Sequence, residues 1–248
     1  MRTDGVQLAV LQHEPETGLG AFAGLLDEFG VEYAVVRTGH GPLPDASSFD
    51  GAIALGGSLH AYEPRLFETR RWIRNSVLRG LPFLGICLGG QLLATALGGV
   101  VSRGPKPELG VHGIFLTRAA TRDPLLDGLP RYLSVFGWHE DDFDLPSGAT
   151  HLASSIGYRQ QAFRFGAAAY GLQFHPEVRV ADLHRWAHVA GYRSLRERDG
   201  RGWATIASEL DEITPGLETL GRQLLERWLG LVGGVTEVGG EWRRTVAA

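Results

Sequence analysis

Apolar residues in the first hundred positions follow two alternating rhythms. Residues 6–11, 33–36, 51–55 and 82–86 are short, nearly continuous apolar runs bounded by Gly, Pro and polar residues. Runs of this kind predict strands buried on both faces. Between them the apolar positions recur every three or four residues. Phe22, Leu25, Leu26 and Phe29 predict a helix over 20–29, stopped by Gly30. Leu66, Phe67, Ile73 and Val77 predict a second over 64–78, and 88–97 predicts a third directly after the fourth strand. Strand and helix in alternation predict an open, mostly parallel sheet with helices on both faces.

The middle of the chain is richer in strand signals. Residues 111–116, 132–136, 152–155, 161–165 and 168–174 are short candidates separated by turn residues, a small antiparallel β section. After Pro176 the spacing becomes helical again, and 216–230 places Leu217, Leu220, Leu224, Trp228 and Leu229 near one face. Residues 233–248 are Gly-rich and weakly patterned, and are expected to form a flexible tail. No repeat or low-complexity linker interrupts 1–232, which is read as one α/β domain.

Composition narrows the function classes. A net charge of −4 provides no basic field for nucleic acid. No apolar stretch approaches the roughly 20 residues that span a bilayer, so no membrane role is expected. The first apolar run is broken by Gln12, His13 and Glu14, which does not suit a signal peptide. One cysteine excludes an intrachain disulfide and fits a reducing cytoplasm. Lys106 is the only lysine, and richness in Ala, Gly and Arg fits a GC-rich bacterial genome.

That lone cysteine sits in Gly85-Ile86-Cys87-Leu88-Gly89, between the fourth strand and the third helix. G-x-C-x-G at a strand-to-helix junction has the form of a nucleophile elbow. Glycines two positions either side of the thiol relieve the crowding of so tight a turn. The sulfur then stands at the carboxyl end of the sheet, where open α/β folds place their ligands. The positive end of the following helix favours thiolate. Read alone, a single cysteine is a small buried hydrophobe; the elbow spacing is what argues for chemistry.

A thiolate needs a base, and nine histidines are candidates. His175 stands at the end of an apolar strand, in Gln173-Phe174-His175-Pro176-Glu177. Pro176 ends the ladder, and Glu177 is close enough to hold the far ring nitrogen. His184 and His188, four apart, suit a surface or packing role, because no third metal ligand accompanies them. Arg65, Arg70, Arg71, Arg74 and Arg79 on the second predicted helix read as a solvated face, or less simply as a docking surface.

Together the elbow GICLGGQ, the strand-end FHPE and the Gly-Gly turn after the third strand resemble the class I, triad-type glutamine amidotransferases. Overall similarity is nearest to their stand-alone GMP-synthase-like domains. The resemblance covers about residues 6–178. It implies a flavodoxin-like fold, Cys87 as nucleophile, His175 as general base then acid, and Glu177 as the orienting carboxylate. The backbone N–H groups of Gly57 and Leu88 would form the oxyanion hole. Gln91, Trp138, His139, Glu140 and Asp141 would bind substrate, the last four from a family region spanning 123–143.

Two departures stand out. Ser58 and Leu59 replace the family's usual residues after the Gly-Gly turn, and Glu140, beside Asp141 and Asp142, stands where a glycine commonly follows the His139 position. The implied reaction is hydrolysis of a γ-amide through a thioester, with no metal or organic cofactor. A glutaminase feeding a separate synthetase is the leading expectation. A stand-alone hydrolase of γ-glutamyl amides or peptides is the alternative, and a repurposed binding member the third.

Overall fold

Neighbouring side chains on a strand point to opposite faces, and here that alternation divides the core in two. The structure, a computed structural model, describes residues 5–232 and the backbone of 235–238 and 241–244. The four apolar runs form β1 (Gln7–Gln12), β2 (Glu32–Arg37), β3 (Gly51–Ala54) and β4 (Phe83–Ile86). They lie parallel in the order β2-β1-β3-β4. The predicted helices form as α1 (Ala21–Glu28), α2 (Phe67–Leu78) and α3 (Leu88–Ala96). Leu8, Val10, Ile53, Leu84 and Ile86 face Phe22 and Leu26 of α1. Ala9, Leu11, Ala52, Ala54 and Phe83 face Ile73 and Val77 of α2 and Leu92 and Leu93 of α3. Each larger apolar side chain so buried contributes on the order of 1.5–3 kcal/mol. Pro64 opens a 3₁₀ turn over Pro64–Leu66 before α2, a place where its missing N–H is no loss.

The sheet does not stop at β4. β5 (Val101–Leu116), β6 (Tyr132–Phe143), β7 (Thr150–Ser155), β8 (Ala162–Phe165) and β9 (Ala169–Leu172) extend it in the order β4-β9-β8-β7-β5-β6. β9 runs parallel to β4, and the remaining pairs are antiparallel. The antiparallel section is therefore one part of a single nine-stranded sheet. β5 and β6 also run well past the predicted 111–116 and 132–136. Much of their extra length is polar, carrying Ser102, Arg103 and Glu108 opposite Asp142, Asp141 and His139, and the register shifts between Arg103 and Glu108. Pro105 and Pro107 lie in that irregular stretch and hide it from a reading by alternation.

The C-terminal helices are α4 (Val180–Trp186), α5 (Ala190–Asp199) and α6 (Trp203–Leu229). α6 starts well before the predicted 216 because it runs through Pro215. Proline removes one backbone bond from a helix interior. Around it, Thr214 Oγ1 donates to the Leu210 carbonyl at 2.9 Å and Thr219 Oγ1 to the Pro215 carbonyl at 2.9 Å. The second half of α6, with Leu224 and Trp228, packs beside α1. Its first half, with Ile206 and Leu210, joins a third cluster containing Trp138, Trp186 and Tyr192.

In the stretch expected as a tail, β10 (Val235–Val238) and β11 (Glu241–Arg244) form an antiparallel ladder. The rest of that stretch lies outside the described residues. Among the described residues no helix is long and apolar enough to cross a membrane.

Candidate active site

Cys87 has φ 49° and ψ −107°, and it is the only non-glycine with positive φ among the described residues. Such a conformation costs about 1–3 kcal/mol and persists only where its surroundings enforce it. Two backbone bonds and two close contacts surround it. The Cys87 N–H donates to the Leu172 carbonyl at 2.7 Å, and its own carbonyl accepts from Gln91 N–H at 3.0 Å. A Cβ on Gly85 would come within 2.5 Å of the Gly89 carbonyl group. One on Gly89 would run into the Ala54 carbonyl oxygen. Both elbow glycines are thus steric necessities. Leu88 follows as the first residue of α3, whose free N–H groups and positive dipole end adjoin the sulfur.

His175 follows β9, and its N–H donates to the Phe136 carbonyl at 2.8 Å. Its Nδ1 is 2.7 Å from Glu177 Oε1, and both side chains are buried. A Cβ on Gly56 would lie 2.8 Å from His175 Cε1 and 3.7 Å from Cys87 Cβ. Imidazole and thiol-bearing carbon therefore flank one spot, which only glycine leaves open. Burial works against a charged ring, but the Glu177 carboxylate and the Cys87 sulfur outweigh it and push His175 up to about 10. Nε2, the nitrogen not held by Glu177, is buried without a hydrogen-bond partner. The tripeptide itself is wedged in place. Glu177 O accepts from Ala21 N–H at the start of α1 at 2.7 Å, and Gly221 of α6 admits the Pro176 carbonyl where a side chain would collide.

A cleft of about 170 Å³ opens onto Cys87, which is 4% exposed. Gly57, Gln91, Trp138, His139, Glu140 and Asp141 all line it. Their roles differ. Gln91 Nε2 donates to Gln173 Oε1 at 3.0 Å. Trp138 turns its carbonyl toward the sulfur, 3.9 Å from Sγ, and stacks its indole on Trp203 at 5.0 Å. His139 has both ring nitrogens engaged, one with the Asp141 carbonyl at 3.1 Å and one with Glu108 Oε2 at 3.0 Å. That makes it a wall residue. Glu140 Oε1 accepts from Arg103 at 2.9 Å and from Arg198 at 2.7 Å. Asp141 Oδ2 is 2.6 Å from His60 Nδ1, while Oδ1 is buried and unpartnered.

Other sequence candidates do not join the site. α4 ends at Trp186, so His184 and His188 do not share one helix, and both are exposed. Arg70 and Arg74 donate to the Glu63 and Ala96 carbonyls at 3.1 and 2.9 Å, while Arg65 and Arg71 pair with Glu63 and Glu68. Arg65, Arg71, Arg74 and Arg79 are exposed, as a solvated face requires.

Besides His60, Arg103 and Arg198, two further residues at the site escaped the sequence reading. Tyr192 of α5 lines the cleft with a buried hydroxyl that has no partner. Burial, with Cys87, Glu14 and Glu177 as negative neighbours, keeps its phenol protonated far above the usual range. Glu14 accepts from Ser58 N–H at 2.6 Å and from Ser58 Oγ at 2.7 Å. No local motif marks either residue.

A family model described as class-I glutamine amidotransferase matches residues 22–184. The glutamine amidotransferase-like protein YfeJ of Salmonella typhimurium is 33% identical over 177 residues, covering 68% of this chain and 74% of that protein. A glutamine-hydrolyzing GMP synthase subunit from Saccharolobus solfataricus is 37% identical over 144 residues, 56% of this chain and 73% of that protein. Among solved structures, a glutamine amidotransferase from Thermotoga maritima superposes with a TM-score of 0.80 at 30% identity, covering 90% of this chain and 97% of that one. One from Methylobacillus flagellatus gives 0.82 at 25% identity, over 95% and 97%.

Proposed function

Because this chain belongs to the class I glutamine amidotransferase family, we propose that it hydrolyses the γ-amide of glutamine, or of a glutamine-like substrate, through a Cys87 thioester and delivers the ammonia to a separate synthetase. The observation that carries this reading is the buried His175–Glu177 pair at 2.7 Å, held against the strained Cys87 elbow. Glu177 fixes the tautomer and direction of the ring, leaving Nε2 for the sulfur and the leaving group.

Cys87 Sγ attacks the γ-carbonyl carbon. The backbone N–H groups of Gly57 and Leu88 receive the developing oxyanion, about 3 kcal/mol per donor in comparable sites. The imidazolium of His175 protonates the departing nitrogen as the C–N bond breaks and the thioester forms. Water then attacks the thioester carbon, giving its proton to the imidazole, and glutamate leaves with the thiol restored. Gln91, Trp138, Glu140 and Asp141 line the space beside the sulfur where the amino-acid end lies. Relatives named as GMP synthase subunits support a partner synthetase. The single thiol fits a reducing cytoplasm.

A second reading, a stand-alone γ-glutamyl amide hydrolase, is favoured by one feature. Glu140, Arg103 and Arg198 close a charged frame at the mouth of the cleft, with Arg198 coming from the covering helix α5.

Ammonia and glutamate release by wild type and Cys87→Ala, with glutamine and a panel of γ-glutamyl amides, tests both. Turnover of glutamine that rises with a synthetase and vanishes in Cys87→Ala supports the first. Turnover of substituted amides alone supports the second. Equal signals from both variants remove the nucleophile and defeat both.

A further inference from the structure

We propose that Glu14, on the loop between β1 and α1, is a positioning residue that locks the Gly56-Gly57-Ser58 turn so that the Gly57 N–H faces the reacting carbonyl. This rests on the amide-hydrolysing reading above. Two consecutive glycines form the most permissive backbone available. An oxyanion hole works only if its donors are fixed before charge develops. Some other group must therefore hold the turn still, and the contacts identify it.

Glu14 receives two bonds from one residue. Ser58 N–H reaches Oε2 at 2.6 Å, and Ser58 Oγ reaches Oε1 at 2.7 Å. This two-point grip fixes the peptide after Gly57 and commits the Ser58 N–H away from substrate. Glu14 is itself anchored, since its carbonyl accepts from Thr17 N–H at 3.1 Å and from Thr17 Oγ1 at 3.0 Å. The neighbouring His13, which is buried, ties the loop to Thr38 Oγ1 at 2.7 Å. From the opposite side Gly191, in the first turn of α5, presses on the turn. A Cβ there would lie 2.7 Å from both Ser58 Cβ and Oγ. Ser58 is thus clasped between the carboxylate and the covering helix.

The test compares wild type, Glu14→Ala, Glu14→Gln and Ser58→Ala. It follows kcat and KM on the best γ-glutamyl amide, alkylation of Cys87 by iodoacetamide, and thermal melts. Alkylation creates no oxyanion, so it reports the thiol and is blind to the hole. Glu14→Ala is expected to lower kcat roughly 10- to 100-fold, with KM and alkylation rate within about three-fold of wild type. Glu14→Gln, which keeps an acceptor for the Ser58 N–H, restores part of that loss. Ser58→Ala loses less than Glu14→Ala.

A kcat within about two-fold of wild type in all three variants overturns the role, as does alkylation that falls in step with kcat. If Glu14→Ala does not fold, the two milder variants decide by the same criteria. Wild type inert on glutamine and on every γ-glutamyl amide, both alone and with a synthetase, defeats the amide-hydrolysing reading and this role with it. Active wild type with unchanged variants defeats this role alone.

Discussion

The two sides of the cleft are built by different physics. On one side stands the Cys87 elbow, where β4 turns into α3 and neighbouring backbone leaves no room for a side chain at Gly85 or Gly89. On the other stand β6 and α5, where Glu140 and Arg198 meet through a flexible ion pair at 2.7 Å with Arg198 substantially exposed. The first wall is a steric fit in which any added atom must displace main chain. The second is a set of charged side chains that can exchange partners with water or substrate at small cost. A sterically fixed wall and an adjustable one thereby line the same cleft.

Three changes would break or sharpen the contrast. The largest effect is expected from Gly89→Ala. Its Cβ meets the Ala54 carbonyl, so the variant should lose about 3 kcal/mol of stability, read as a fall in Tm, together with most turnover. A variant with wild-type melting would show that the elbow is not sterically limited.

The next effect concerns the charge that the rigid wall holds. His175 is raised from 6.5 to about 10, so the folded state binds its proton more tightly than the unfolded chain does. The stabilisation is therefore complete below about pH 6.5 and is lost as pH rises through about 10. Melts of wild type and His175→Gln should diverge at pH 6 and converge above pH 10. A Tm difference independent of pH would mean that Glu177 and Cys87 do not hold the imidazolium.

The smallest effect is expected at the adjustable wall. Arg198→Ala should change KM a few-fold and leave kcat and Tm almost unaltered, because Arg103 still pairs with Glu140 at 2.9 Å. A collapse of kcat would erase the distinction between the two walls.

The same division governs what is legible in the sequence. The elbow is legible because its constraint acts across two residues either way of Cys87. His175 and Glu177 are legible because strand end, proline and carboxylate are adjacent. The parallel core is legible because burial on both faces leaves continuous apolar runs. The polar ends of β5 and β6 are not, because residues such as Arg103, Glu108 and Asp141 find their partners only across the ladder. The full length of α6 is hidden because Pro215 reads as a stop, whereas two packed clusters hold the helix through it.

By itself, then, the chain determined the strand–helix alternation, the thiol at its turn and the histidine that faces it. All of these follow from sterics and burial acting over a few residues. Only the tertiary structure decided which distant groups complete the cleft. Glu14 meets Ser58 across 44 positions and Arg198 meets Glu140 across 58, and neither pair leaves any trace in its own neighbourhood. A hydrogen bond depends on atoms within about 3 Å in space, and separation along the chain says nothing about that until the fold has closed.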